Sequence, residues 1–297
     1  MLRRLSSIAF AFLLTIALAT PSLAATKKQT PKKSPTTTKA APKKEVPEAF
    51  PATDDGTPPT ITAASAILID AQSGRALFEF NADDARPVAS TQKLLTGLII
   101  AEEGGLDEPV RVAASDTDAE PSKLYIKPGE IYERGKLLQI LLVKSMNDVA
   151  RCLARDNAGS VEAFAEKMNA KAAQLGMRNS RFVNPNGLPA PGQYSTARDL
   201  AKVAMAAYRN RTVRSIVCQR STTWRYNDGR VRTFESTNKV LRNWPLCNGM
   251  KTGYTDAAGH CLISSASFGG RDVISVILGD KQVWTDSHRM LAWGLAF

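Results

Sequence analysis

Three short motifs, in one order along the chain, carry the side chains that acyl transfer would need: Ser90-Thr91-Gln92-Lys93, Ser145-Met146-Asn147 and Lys251-Thr252-Gly253. Ser-x-x-Lys puts an amine one helical turn from a hydroxyl, on the same face. An amine held neutral by burial can take the hydroxyl proton and turn a weak nucleophile into a strong one. Ser-x-Asn adds a second hydroxyl, able to relay a proton, and an amide able to hold substrate. Lys-Thr-Gly adds positive potential and a hydroxyl donor on a strand-like segment.

Order and context choose between competing copies. Ser236-Thr237-Asn238-Lys239 fits both the first and the second pattern, but no second serine motif lies between it and Lys251, so Ser236 reads as a structural or substrate-side position. Ser90 opens an apolar helical run over 91–101, ended by Gly104-Gly105. Its position at a helix start favours the negative charge that would develop there. Ser145 follows the apolar run Leu137 to Val143 and breaks what read as two helices, 135–144 and 148–155. A third helix is predicted over 161–175. A fourth runs to Tyr208 from a cap at Thr196 with Asp199. Residues 66–70 and 76–80 read as a β-hairpin, as do 222–226 with 231–234 and 261–268 with 273–278. The third motif sits on a strand at 249–254, and a helix over 283–296 closes the chain. Strands at both ends with helices between them predict an α+β fold: an antiparallel sheet flanked by helices plus an all-helical lobe over roughly 104–204, with the catalytic cleft between them.

The remainder of the chain bounds where this chemistry would operate. Arg3 and Arg4, the apolar stretch Ile8 to Ala19 and Pro21-Ser22-Leu23-Ala24 read as a secretory signal peptide over 1–24. Residues 25–60, rich in Lys, Pro and Thr, predict a disordered linker, and 61–297 a single catalytic domain. The net charge of +11 is uneven: residues 1–60 hold nine Lys and Arg against four acids, leaving 30 against 24 in residues 61–297. Two readings of the basic linker stand side by side, electrostatic contact with anionic envelope polymers and a solvated spacer. Nucleic acid is a poor partner, because an exported chain does not meet it and no aromatics interleave with the basic run. The four cysteines, Cys152, Cys218, Cys247 and Cys261, form no Cys-x-x-Cys pair, and with two histidines the composition argues against a metal site or any cofactor. Cys152 and Cys261 read as small core residues; a Cys218–Cys247 bridge is left open.

The three motifs, together with Met168-Asn169, Leu175-Gly176-Met177, Phe182 to Leu188, Ser195 to Asp199 and Gly249 to Thr255, resemble the D-alanyl-D-alanine carboxypeptidase family of low-molecular-mass penicillin-binding proteins, from Ala64 to the C-terminus. The resemblance implies the penicillin-binding transpeptidase, β-lactamase-like fold, an acyl-enzyme on D-Ala-D-Ala stem peptides of peptidoglycan, and covalent inhibition by β-lactams. Within it Ser90 is the nucleophile, Lys93 its base and Ser145 the proton relay. Asn147 holds a substrate amide, Lys251 supplies positive potential near Ser145 and the substrate carboxylate, Thr252 hydrogen-bonds that carboxylate, and Gly253 and Tyr254 complete the substrate-binding set. The oxyanion lies between the N–H groups of Ser90 and Tyr254. Two departures stand out. Met146 replaces the family's usual glycine and would narrow the cleft. The sequence ends after its closing helix, which aligns it with shorter members, endopeptidases on peptidoglycan cross-links among them. A periplasmic or cell-wall location is implied.

A β-lactamase would need a deacylating carboxylate; Glu166 with Asn169 has the wrong spacing and falls on a helix. A Ser-His-Asp hydrolase would need a Gly-x-Ser-x-Gly elbow, which is absent, so His260 and His288 read as surface or strand-end residues. Lys239 reads equally as a carboxylate contact or a strand-edge lysine. A non-catalytic wall-binding relative would be expected to have lost one of the six functional side chains.

Overall fold

The computed structural model describes residues 56–119 and 121–296, all within one unit, Val46–Phe297. The predicted signal peptide, 1–24, and most of the predicted linker lie outside the described residues. The last linker residues do not. The Trp293 indole N–H donates to the Gly56 carbonyl at 3.2 Å, and the Thr62 N–H donates to Asp286 at 2.7 Å. Tertiary contact thus begins by Gly56, ahead of the boundary predicted at 61; a single backbone carbonyl in a Pro- and Thr-rich stretch carries no compositional mark.

β1 (Ser65–Asp70) and β2 (Ala76–Phe80) form the predicted hairpin. The Asp70 carboxylate closes its turn by accepting the Ser73 and Gln72 N–H groups and the Ser73 hydroxyl, which hold it below the usual carboxylate range. A single 3-10 turn, Ala89–Gln92, leads into α1 (Lys93–Glu103). Every residue from Lys93 to Ile100 is buried, so α1 is a central helix enclosed all round rather than an amphipathic one. β3 (Pro109–Arg111) and β4 (Ile131–Glu133) pair with each other, and α2 (Arg134–Lys144), α3 (Asn147–Ala158) and α4 (Val161–Gln174) follow. α5 (Ala197–Arg209) starts where its cap predicts, the Thr196 hydroxyl accepting the Asp199 N–H. Then come α6 (Arg211–Val217), β5 (Ser221–Arg225), β6 (Val231–Glu235), α7 (Lys239–Asn243), β7 (Cys247–Thr255), β8 (Gly259–Phe268), β9 (Arg271–Asp280) and α8 (Val283–Ala296).

The main sheet runs β2-β1-β9-β8-β7, antiparallel throughout, so the first and last strands of the fold are neighbours. Ile67 and Ile69 of β1 face a core shared with α1 and α5. Ala66 and Leu68, pointing the other way, face α8 through Met290, Leu291 and Trp293. Burial on both faces explains why β1 reads as a continuous apolar run.

The predicted helical lobe is not all helical. It holds β3 and β4, each three residues long and too short to show an alternating pattern. The short α6 and α7 also escaped the sequence reading. The Cys218–Cys247 bridge does not form: both are free thiols, Cys218 exposed after α6 and Cys247 buried in β7, as are the buried Cys152 and Cys261. Among the described residues no helix is long and apolar enough to cross a membrane.

Candidate active site

Ser90 sits in the 3-10 turn, and Lys93, fully buried, is the first residue of α1. Lys93 Nζ lies 2.7 Å from Ser90 Oγ, 2.6 Å from Asn147 Oδ1 and 2.5 Å from the Asn186 carbonyl oxygen. Two of these three partners are carbonyl oxygens and can only accept. The third is a hydroxyl and can donate. A neutral amine with two N–H groups and one lone pair therefore fits only with both N–H groups on Asn147 and Asn186 and the lone pair toward Ser90. Burial, then the nearby Lys251 ammonium, push Lys93 well below its ordinary value; Asp148 opposes them. When the amine is protonated, the Ser90 hydroxyl has a second acceptor, the Asn186 carbonyl at 3.2 Å.

The Asn186 carbonyl was not foreseen. It belongs to the segment Phe182 to Leu188, which braces the Ser-x-x-Lys turn along its length. Gln92 Nε2 donates to the Asn184 carbonyl at 2.6 Å, the Thr96 hydroxyl to the Pro185 carbonyl at 2.8 Å, and Asn169 holds both backbone groups of Phe182. Gly187, at φ +82°, lies so close to the turn that a Cβ there would fall 2.1 Å from the Ala89 carbonyl oxygen. Gly187→Ala is expected to cost about 1–3 kcal/mol of stability for the left-handed backbone alone. It should also slow penicillin acylation by displacing Ser90; thermal denaturation and stopped-flow labelling measure the two effects.

Ser145 caps the C-terminus of α2 in the left-handed conformation, φ 71°. Among the described residues its hydroxyl has no hydrogen-bond partner, unlike that of Ser90. Asn147 opens α3 and is 3 % exposed; its Nδ2 donates to the Pro121 carbonyl at 2.6 Å. Met146 is buried in the main apolar core, so its bulk is accommodated there.

β7 carries the third motif. Lys251 is fully buried, its Nζ donating to the Thr252 carbonyl at 2.9 Å, and burial brings its pKa down to about 7. The Thr252 and Thr237 hydroxyls are 2.6 Å apart. Gly253 is where β7 meets the nucleophile turn: a Cβ there would lie 2.9 Å from Ser90 N and 3.0 Å from Thr91 N. Tyr254, 57 % exposed, stacks its ring on His260 with centroids 4.6 Å apart. Ser90, Lys93 and Asn147 are thus in direct contact, and Gly253 abuts Ser90. Among the described residues, six non-glycine residues have positive φ. Of these, Ala89, Ser145 and Met250 belong to or adjoin motif residues, and Ser122 and Tyr125 lie on the loop bound to Asn147 and its neighbour. Strain of this kind gathers at functional sites.

The remaining candidates fall elsewhere. Ser236 is buried, its hydroxyl accepting the Asn238 N–H, and so plays a structural part. Lys239 starts α7, not a strand edge, with its ammonium 5.5 Å from the Trp284 ring centroid. Glu166 is exposed on α4. His260 is exposed near the start of β8, while His288 is a half-buried residue of α8 packed on Trp244 rather than a surface one. No cluster of three or more His, Cys, Asp or Glu able to hold a metal occurs among the described residues.

Residues 52–282 match the family described as D-alanyl-D-alanine carboxypeptidase. The D-alanyl-D-alanine carboxypeptidase DacF of Bacillus subtilis is 32 % identical over 222 residues, 73 % of this chain but only 57 % of that protein, so the chain spans a little over half the length of this relative. The D-alanyl-D-alanine endopeptidase of Escherichia coli is 32 % identical over 79 % of this chain and 78 % of its own. The crystal structure of the D-alanyl-D-alanine carboxypeptidase from Mycobacterium tuberculosis superposes with a TM-score of 0.77 at 32 % identity, covering 81 % of this chain and 94 % of that one.

Proposed function

The chain belongs to the D-alanyl-D-alanine carboxypeptidase family, and from that premise we propose that it is a serine DD-peptidase acting on D-Ala-D-Ala stem peptides of peptidoglycan through a Ser90 acyl-enzyme. The observation that carries the reading is the Lys93 amine set between two obligate acceptors and the Ser90 hydroxyl. As Ser90 Oγ bonds to the carbonyl carbon of the penultimate D-Ala, its proton passes to Lys93 Nζ. The C–N bond then breaks, and Ser145 relays that proton from Lys93 to the departing amine, leaving Lys93 neutral. Water attacks the ester, Lys93 takes the proton of that water, and the C–O bond breaks as Lys93 returns the proton to Ser90 Oγ. The N–H groups of Ser90 and Tyr254 stabilise the oxyanion of both steps. Asn147 holds a substrate amide. The Thr252 hydroxyl hydrogen-bonds the terminal carboxylate and the buried Lys251 supplies positive potential near it and Ser145; the carboxylate charge favours the ammonium form that burial opposes. The basic start and apolar stretch of residues 1–24 support export to the periplasm or wall.

Relatives of both bond preferences exist, carboxypeptidase and endopeptidase. Incubation with purified muropeptides, monomeric and cross-linked, followed by product mass analysis tests the proposal and separates the two. Loss of one D-Ala from monomers is the expected result, conversion of dimers alone assigns the cross-link, and no product from either overturns the proposal. The same site predicts that the benzylpenicillin adduct of Ser90 lasts minutes or longer. Glu166 is exposed on α4 and has the wrong spacing for a deacylating carboxylate, and the penicilloyl leaving group stays tethered where water would approach. Intact-mass decay after acylation measures it; release many times per second would indicate a β-lactamase.

A further inference from the structure

The residue after the second motif, Asp148, is fully buried and has no salt bridge among the described residues, yet its carboxylate is saturated with donors. Oδ1 accepts the Leu124 N–H at 3.0 Å and the Val149 N–H at 2.9 Å. Oδ2 accepts the Tyr125 N–H at 2.8 Å and the Ile126 N–H at 3.4 Å. Leu124 to Ile126 come from the loop between β3 and β4, and Tyr125 there has φ +61°. Successive N–H groups converging around a left-handed residue form an anion-binding concavity. Here the anion is a side chain of the same protein, placed in the first turn of α3, where negative charge is favoured.

The loop so held touches the site. The Ser122 carbonyl accepts the Asn147 N–H at 2.9 Å, and the Pro121 carbonyl accepts Asn147 Nδ2 at 2.6 Å. A carbonyl at that place admits only the NH2 end of the Asn147 amide, so Oδ1 is left facing Lys93. Were the amide to turn over, its NH2 would face the amine, and Lys93 would lose one of the two acceptors that direct its lone pair to Ser90.

We propose that Asp148 is a positioning residue for the acyl-transfer site: by gripping the backbone of Leu124–Ile126 it holds the Pro121 carbonyl against Asn147, and through that amide it sets the orientation of the Lys93 amine. The inference rests on the serine DD-peptidase reading for its catalytic consequence, not for its geometry. The charged groups facing Lys93 are Asp148 from α3 and Lys251 from β7, and those facing Asp148 are the four N–H groups and Lys93. Asp148 therefore also supplies the carboxylate that favours protonated Lys93.

Two measurements test this. In Asp148→Asn, benzylpenicillin acylation on the pH plateau should fall at least about tenfold, the scale of a small misplacement at a reacting centre. The acid limb of its pH profile should move to lower pH, because Lys93 has lost its facing carboxylate. A fall in rate with an unmoved limb, as in a merely loosened fold, or a rate within twofold of wild type overturns the proposal. In the wild-type protein, amide hydrogen exchange of Leu124 and Tyr125 should be as slow as that of Val149; fast exchange at both, with Val149 protected, overturns it without any variant. Penicillin labelling of wild-type Ser90 reads the underlying function separately: its absence removes the DD-peptidase reading while leaving the exchange result to decide the clamp.

Discussion

Ser90→Ala should abolish labelling by a fluorescent penicillin and all release of D-Ala while the protein stays folded. The nucleophile is one oxygen, and among the described residues no other serine has its surroundings. There Ser90 Oγ is the only hydroxyl bonded to the buried Lys93 amine. The Ser145 hydroxyl is not bonded to that amine, its hydrogen bond being from its backbone N–H to the Leu141 carbonyl, and the buried Ser236 hydroxyl accepts a backbone N–H. Little stability is at stake. The variant gives up hydrogen bonds to Lys93 and to the Asn186 carbonyl, a net of about 1 kcal/mol each, and Lys93 keeps its two carbonyl acceptors. Gel fluorescence, intact mass and thermal denaturation give the three readings. Adduct mapping to Ser145 or Ser236 would show the nucleophile to be misassigned.

Much of this site is legible before any coordinates because its chemistry is local. Ser90 and Lys93 share one turn, so their spacing alone implies contact, and the strand bearing Lys251 to Tyr254 shows itself by type and position. The order of the motifs and the run of strands, helices and strands likewise imply the sheet flanked by helices. What stayed hidden is what acts through backbone atoms. The Asn186 carbonyl, which takes an N–H of Lys93, could belong to any residue type; only the two-glycine-sized gaps at Gly187 and Gly253 betray how closely the chain passes. Asp148 reads as an ordinary acid at a helix start, since nothing in the sequence says that its partners lie in the loop Leu124–Ile126. The pairing of β3 with β4 was missed for a related reason: three residues on each side leave no period to detect.

Lys93→Arg should be nearly as damaging as Lys93→Ala, with acylation slowed at least about a hundredfold, the lower range for loss of a general base. The change keeps a positive charge on a long side chain, so it separates proton transfer from electrostatics. A guanidinium has donors only and stays protonated at any working pH. Asn147 Oδ1 and the Asn186 carbonyl could still be satisfied, but nothing could receive the proton of Ser90. The pH dependence gives a second discriminant. Burial and Lys251 lower the Lys93 pKa below its ordinary 10.5, so the neutral amine accumulates as pH rises through that depressed value, and wild-type acylation should rise with it. Linkage has the same sign. Between the depressed folded value and the unfolded one, the unfolded chain binds the extra proton, so raising pH through that window stabilises the fold and lowering pH destabilises it. Arginine titrates in neither state, so the variant should lose the rise in rate that follows Lys93 and lose this part of the stability profile, while any dependence on Lys251 is common to both proteins. Stopped-flow acylation across pH, with Lys93→Ala beside it, makes the comparison. An arginine variant acylating at the wild-type rate would mean that position 93 contributes a charge and that the base must be sought elsewhere, with Ser145 and Lys251 the first to examine.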